Sequence, residues 1–190
     1  MTLTFVFPVT THFEPHQVPL IAGLAMRSAL DEVVGSGTIS LKWPNDLLLR
    51  DGRKVAGVLC ERVHKADLIG VGVNVNVPRS RFPRVLRARS GSLMERNSRP
   101  LPLNDVVARL ARHLHLRLTQ HTEHHFGQLL REYDQHHALL GRQVEVVSSM
   151  DSEPLAGVCL GLDRMGRLLL RDARNKSRIH RIIAGQVSML

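Results

Sequence analysis

The residues best equipped for chemistry fall in three short stretches near the start of the chain. The first is Lys42-Trp43-Pro44-Asn45-Asp46. Pro44 biases Trp43 toward extended backbone, and Asn45 and Asp46 are turn formers whose side chains can bond outward. A strand end carrying a lysine, an amide and a carboxylate could hold a nucleotide, or it could be no more than a hairpin corner. The second stretch is Asp51-Gly52-Arg53-Lys54-Val55-Ala56-Gly57. Lys54 opens an otherwise apolar strand, so its ammonium either stays in water or turns inward as a fixed cation beside a carboxylate or phosphate. Gly57 would let a ligand approach the backbone closely. The third is Ile69-Gly70-Val71-Gly72-Val73-Asn74-Val75-Asn76. Alternation puts Gly70, Gly72 and Asn74 on one face. That face is bare for two steps and then carries an amide, which suits either a flat ligand or a closely packed helix.

Elements that could position these residues follow from pattern and punctuation. Thr2 to Phe7 is β-branched and aromatic and stops at Pro8, the signature of a strand. His16 to Val34 is dense in Ala, Leu and Ile, with Gly35 placed to end a helix. Thr38–Trp43, Asp46–Arg50, Lys54–Val63 and Asp67–Val75 read as strands spaced too tightly for crossover helices, which favours hairpins and an antiparallel sheet. Residues 76–102 are rich in Pro, Arg and Ser and read as an irregular connection. Leu103, Val106, Val107, Leu110, Leu114 and Leu118 recur at helical spacing, with Asn104 and Asp105 suited to the helix start. A further helix is expected over His124 to Leu139. From Gly141 the texture changes to short strands at Val144–Val147, Leu155–Leu162, Arg167–Leu170 and Arg178–Ile183, separated by turns such as Asp151-Ser152, the pattern of a small appended β-barrel.

The 190 residues suffice for one domain with a small satellite. The formal charge of +9 fits a polyanionic ligand, an acidic partner, nucleic acid, or simply a solvated basic surface. Cys60 and Cys159 form no CxxC pair and no disulfide framework, so a reducing cytoplasm is the natural setting. No apolar stretch approaches the roughly 20 residues of a membrane span, so no membrane association is expected. His121 and His125 stand at an i, i+4 spacing that could hold a metal, but no carboxylate or cysteine completes a set. The arginine-rich stretch Arg79 to Arg99 has little aromatic interleaving and no recognition-helix pattern, and reads as a solvated loop.

Taken together and in register, the motifs resemble the centre of the biotin–protein ligases. Lys42-Trp43-Pro44-Asn45-Asp46, Gly52-Arg53-Lys54-Val55-Ala56-Gly57-Val58-Leu59 and Gly70-Val71-Gly72-Val73-Asn74-Val75-Asn76 carry the resemblance. Ser90-Gly91-Ser92-Leu93 is similar to the family's Ser-Leu step. Gly141-Arg142-Gln143-Val144, Gly157, Gly166 to Leu170 and Gly185-Gln186-Val187-Ser188 are similar to its C-terminal domain. Lipoate ligases typically carry Trp-Gly-Gly-Asp at the corner, and Pro44-Asn45 departs from that.

The resemblance implies an α+β fold. Its main part is a mixed, mostly antiparallel sheet with flanking helices, of the class II synthetase/biotin ligase type. To this is added a small SH3-like C-terminal β-barrel, with residues 1–140 forming a partial catalytic domain and 141–190 the barrel. It implies biotin and ATP as substrates with Mg²⁺, biotinyl-5′-AMP as intermediate, and a lysine of a carboxylase's biotin carboxyl carrier domain as acceptor, docked by edge-strand addition. Lys54 is then the catalytic residue, bridging the biotin carboxyl and the α-phosphate. Gly57, Gly70 and Gly72 with Lys54 bind biotin. Lys42, Asn45, Asp46 and Asn74 bind ATP, Asp46 helps hold Mg²⁺ or a water ligand, and Trp43 packs the corner. The family's domain normally begins with a Gly-Arg-rich loop folded over the ligand, and Met1 stands directly before the strand that should follow it. The expectation is therefore an N-terminally truncated ligase, impaired alone, with adenylate leaking from an open pocket and uncovered strand edges inviting a homodimer. The alternatives are a non-catalytic ligase remnant or one half of a split enzyme. DNA binding is not expected, because the helix-turn-helix of the family's repressor members is missing.

Overall fold

A computed structural model describes residues 1–9, 13–97, 99–119, 123–147 and 153–190, with the side chains of 123–125 left aside. The paired histidines, His121 and His125, and the Asp151-Ser152 turn therefore lie outside the described residues and side chains. The first half builds a five-stranded sheet from β1 (Thr2–Pro8), β2 (Ile39–Lys42), β3 (Asp46–Leu49), β4 (Lys54–Val63) and β5 (Ala66–Val73). The order is β1-β5-β4-β3-β2 and every pairing is antiparallel. Tight turns join β2 through β5, as the spacing requires. Alternation sorts the two faces: Ile69, Val71 and Val73 are buried, whereas Gly70 and Gly72 look the other way.

The buried face is covered by α1 (Val18–Val34), in which Ile21, Leu24, Ala25, Met26, Ala29 and Leu30 are all inaccessible. Small residues on α1 let it lie close to the strands. The helix starts two residues later than its composition implies, because Gln17 is drawn into a turn by bonding its side-chain oxygen to the Glu14 N–H at 3.0 Å. Gly35 ends it at a φ of 98°, donating its N–H to Asp31 O. Behind α1 lies α2 (Leu103–Thr119), which buries Val106, Leu110, Leu114 and Leu118, one side chain per turn. Leu103 opens that helix but stays exposed, outside the stripe. The third helix, α3 (Glu123–Gln135), stops four residues short of the expected Leu139. Its continuation is captured by β2: Leu41 donates to His136 O and accepts from Ala138 N–H, at 2.8 and 2.7 Å. Those groups cannot also sustain a helix.

The second half forms a separate antiparallel sheet, the expected SH3-like unit. It comprises β6 (Gln143–Val147), β7 (Leu155–Leu162), β8 (Leu168–Asp172), β9 (Ile179–Ile182) and β10 (Gln186–Met189), ordered β10-β6-β7-β8-β9. The strand β10 is one that pattern alone does not announce, since only Val187 in it is buried. The β7–β8 turn is pressed into the first half. A side chain at Gly166 would come within 2.6 Å of Leu20, and Trp43 Nε1 donates to Gly166 O at 3.2 Å. Buried residues of both sheets form one continuous cluster.

Candidate active site

The three motifs meet on the sheet face opposite α1. Cross-strand pairing aligns Thr2 with Gly72, Gly72 with Gly57, Gly57 with Asp46, and Asp46 with Lys42, a single row across all five strands. The corner between β2 and β3 is a hairpin with a cis Trp43–Pro44 peptide. It also forms the wall of a cleft of about 340 Å³, lined by Lys42, Trp43, Pro44, Asn45, Asp46 and Lys54 and, from the other sheet, Gly185, Gln186 and Val187. Hairpin corner and cleft wall are thus the same object.

Lys54 turns inward. Its Nζ is ion-paired with Asp46 Oδ1, while Lys42 Nζ lies 4.0 Å from Asp46 Oδ2. Two ammonium groups therefore share one carboxylate, leaving an excess of positive charge beside the cleft. About half of the Lys54 side chain stays accessible, so a ligand can reach it. Burial pulls Lys42 below the ordinary lysine range, opposed by Asp46 and reinforced by Lys54 and Arg89. The three glycines differ in what they free. A Cβ on Gly57 would stand 3.2 Å from Lys54 Nζ and 3.4 Å from Asp46 Oδ1, so the space there belongs to the ion pair. A Cβ on Gly70 would stand 3.2 Å from Leu59 O, and only Gly72 of the three opens onto free space.

The two asparagines are partly committed to the scaffold. Asn45 donates from Nδ2 to Val58 O at 2.8 Å, and its own carbonyl accepts from the Val58 N–H. Asn74 donates from Nδ2 to Gly91 O at 3.1 Å. Trp43 is buried and ties the corner to Gly166. Two features carry only a resemblance in the sequence, with no place given them at the site. One is Gln186, whose strand lacks an alternating pattern. The other is the segment around Ser90, which adds a short parallel bridge beside Lys54. A signal for it existed: Ser92 and Glu95 form a capping box, a spacing visible in the sequence. A second cleft of about 280 Å³ lies on the C-terminal sheet around Gly157, Val158, Asp172 and Lys176. Its carboxylate, Asp172, is already bonded to His180 at 2.8 Å.

Comparison with known proteins finds the same resemblance. Residues 1–77, which hold all three motifs, match the model of the biotin/lipoate A/B protein ligase family. That stretch of the chain is similar to the family. It is 30% identical over 153 residues to a biotin–[acetyl-CoA-carboxylase] ligase of Mycobacterium tuberculosis, covering 80% of this chain and 55% of that protein. It is 27% identical over 169 residues to the bifunctional ligase/repressor BirA of Bacillus subtilis, covering 86% and 51%. The chain spans about half the length of the curated relatives it matches. Among solved structures, biotin protein ligase from Aquifex aeolicus in complex with biotin and ATP superposes with a TM-score of 0.81 at 26% identity, over 100% of this chain and 78% of that one. The apo form of that ligase gives 0.85 at 25% identity. The superposition spans the whole of this chain and so takes in both sheets, the C-terminal one included. Among the described residues no cluster of three or more His, Cys, Asp or Glu could hold a metal, and no helix is long and apolar enough to cross a membrane.

Proposed function

We propose that this chain activates biotin with ATP and transfers it to a lysine of a biotin carboxyl carrier domain. The observation that carries the reading is the Lys54–Asp46 pair, set beside Gly57 with Lys42 on the same carboxylate. In the first step a biotin carboxylate oxygen attacks the α-phosphorus of ATP, the bond to the β-phosphate breaks, and pyrophosphate leaves. Both reactants are anions, so the protein must cancel their repulsion and stabilise charge growing at the α-phosphate. Fixed cations in a partly dry cleft do this better than water. Lys54 spans the carboxylate and the phosphate, and Asp46 aims it. Lys42, Asn45 and Asn74 hold the nucleotide, and biotin lies on the floor of Gly57, Gly70 and Gly72. In the second step the acceptor lysine, as a free amine, attacks the acyl carbon, AMP leaves, and the nitrogen sheds a proton.

Mg²⁺ travels with the nucleotide's phosphates as part of the substrate. Asp46 does not fit a direct metal bond while both ammonium groups hold its oxygens, and no step is routed through the ion. Residues 1–140 carry the activation site in this reading, and residues 141–190 close its rim through Gly185 and Gln186. The carrier domain docks by adding a strand at the β1 edge of the sheet, since the β2 edge is already bonded to residues 136–138. The test is incubation with biotin, ATP, Mg²⁺ and a carrier domain, read by mass spectrometry. A biotinyl mass increment that appears with this chain and not with Lys54→Ala supports the reading. No increment, or an equal one with Lys54→Ala, refutes it.

A further inference from the structure

Lys54 sits where its own sheet is irregular. The β3–β4 ladder slips between Leu47 and Leu48, so that Leu48 faces Lys54 across a bulge. The Lys54 backbone turns instead to residues 89–91. Its N–H donates to Arg89 O at 2.7 Å, and its carbonyl accepts from the Gly91 N–H at 2.8 Å. The direction in which the Lys54 side chain leaves the strand therefore depends on where that segment lies. Close packing sets its height, since a Cβ on Gly91 would reach Leu49 Cδ1 at 2.5 Å.

What anchors the segment is the residue just before Lys54. Arg53 donates from Nε and Nη2 to Asp51 Oδ2 at 3.0 and 2.7 Å, and from Nη1 to Ser90 O at 3.5 Å. Nη2 also meets Glu95 Oε2 at 2.7 Å. The other oxygen of Glu95 accepts the Ser92 N–H at 3.0 Å, so the carboxylate grips the segment at a second point. The Arg53 side chain is mostly buried. Two carboxylates on one guanidinium leave no surplus positive charge, which makes Arg53 a poor ligand for a phosphate.

We propose that Arg53, held between Asp51 and Glu95, is a positioning residue for Lys54. It fixes residues 89–91 against the Lys54 backbone and so sets where the ammonium meets Asp46. That Lys54 is the working cation rests on the function proposed above; the clamp itself does not.

The test measures two things on the full chain and on Arg53→Ala, Arg53→Lys and Glu95→Gln: hydrogen exchange at the Lys54 amide, and biotin-dependent exchange of pyrophosphate into ATP. Glu95→Gln keeps an oxygen for the Ser92 N–H and loses only the charge on Arg53, so it serves where Arg53→Ala fails to fold. The Lys54 amide should exchange about ten- to a hundredfold faster in Arg53→Ala and Glu95→Gln. The Val58 amide, bonded to Asn45, should not change. The kcat for pyrophosphate exchange should fall roughly tenfold or more, and by a larger factor than any rise in KM for ATP or biotin, because Arg53 itself touches neither substrate. Arg53→Lys, which keeps one ion pair, should fall between. Unchanged Lys54 protection in Arg53→Ala overturns the proposal, and so does a raised KM for ATP at intact kcat, which would make Arg53 a ligand contact. A native chain that activates no biotin, yet whose Lys54 amide responds as stated, defeats the proposed function and leaves the clamp standing.

Discussion

At the scale of single residues, the site turns on what each glycine makes room for. Gly57 vacates space for the Lys54–Asp46 pair, whereas Gly72 has nothing within 4 Å of the Cβ it lacks. The two should therefore fail differently. Gly72→Val places a β-branched side chain in open space on a strand that tolerates it, so thermal stability should hold while biotin affinity drops by about tenfold or more, roughly 1.4 kcal/mol. Calorimetric titration with biotin beside a melting curve checks this, and unaltered affinity would remove Gly72 from the ligand floor. Lys54→Ala removes the cation and leaves Asp46 facing Lys42 alone. Adenylate formation should fall by about a hundredfold or more with the circular dichroism spectrum unchanged. Part of this site was legible in the sequence. Alternation put Gly70, Gly72 and Asn74 on one face; the structure keeps Gly70 and Gly72 together on β5, and Asn74 lies just past the strand's end. The inward turn of Lys54 was one of two open readings, because its carboxylate partner comes from a neighbouring strand and cross-strand register is not written in local spacing.

At the scale of elements, the helices are joined by charge as well as by apolar packing. Glu32 on α1 receives Arg109, Arg112 and His113 from α2, with contacts of 2.7 to 2.8 Å. The hydrogen bond from His113, with those from Arg109 and Arg112, outweighs burial and holds the Glu32 carboxyl down at about 2. A carboxylate whose folded pKa is depressed stabilises the fold above its unfolded pKa and loses that contribution as pH falls through the folded one. The window here runs from about 4.5 down to about 2. Glu32→Gln should cost about 0.5–1 kcal/mol at neutral pH, and the gap from the native chain should close across that window in urea titrations. A gap that persists at the acid end would separate this cluster from acid sensitivity. Strand positions were the most legible elements, since turn residues bracket each one. Helix α3 was overread because His136 and Ala138 give their backbone to Leu41, a long-range contact that composition does not encode. Strand β10 was underread because Val187 alone is buried in it.

At the scale of the whole molecule, the two sheets are not independent. Trp43 bridges them through Gly166, and the cleft draws residues from both. Trp43→Phe leaves the Gly166 carbonyl without its partner and opens a small void. It should cost about 2–4 kcal/mol and lower the denaturation midpoint of both sheets in a single transition, followed by circular dichroism. The sheet face bearing Gly72 stays uncovered among the described residues, so an adenylate formed there is open to water and nearby amines. Released biotinyl-adenylate and diffuse lysine labelling are the expected accompaniment of turnover by this chain. The central claim is that the chain activates biotin and that Lys54 does it. The most direct measurement is biotin-dependent exchange of labelled pyrophosphate into ATP, run on the 190-residue chain and on Lys54→Ala. The account predicts exchange that requires biotin and disappears with the lysine. Exchange absent from the native chain, or equal in Lys54→Ala, would contradict it.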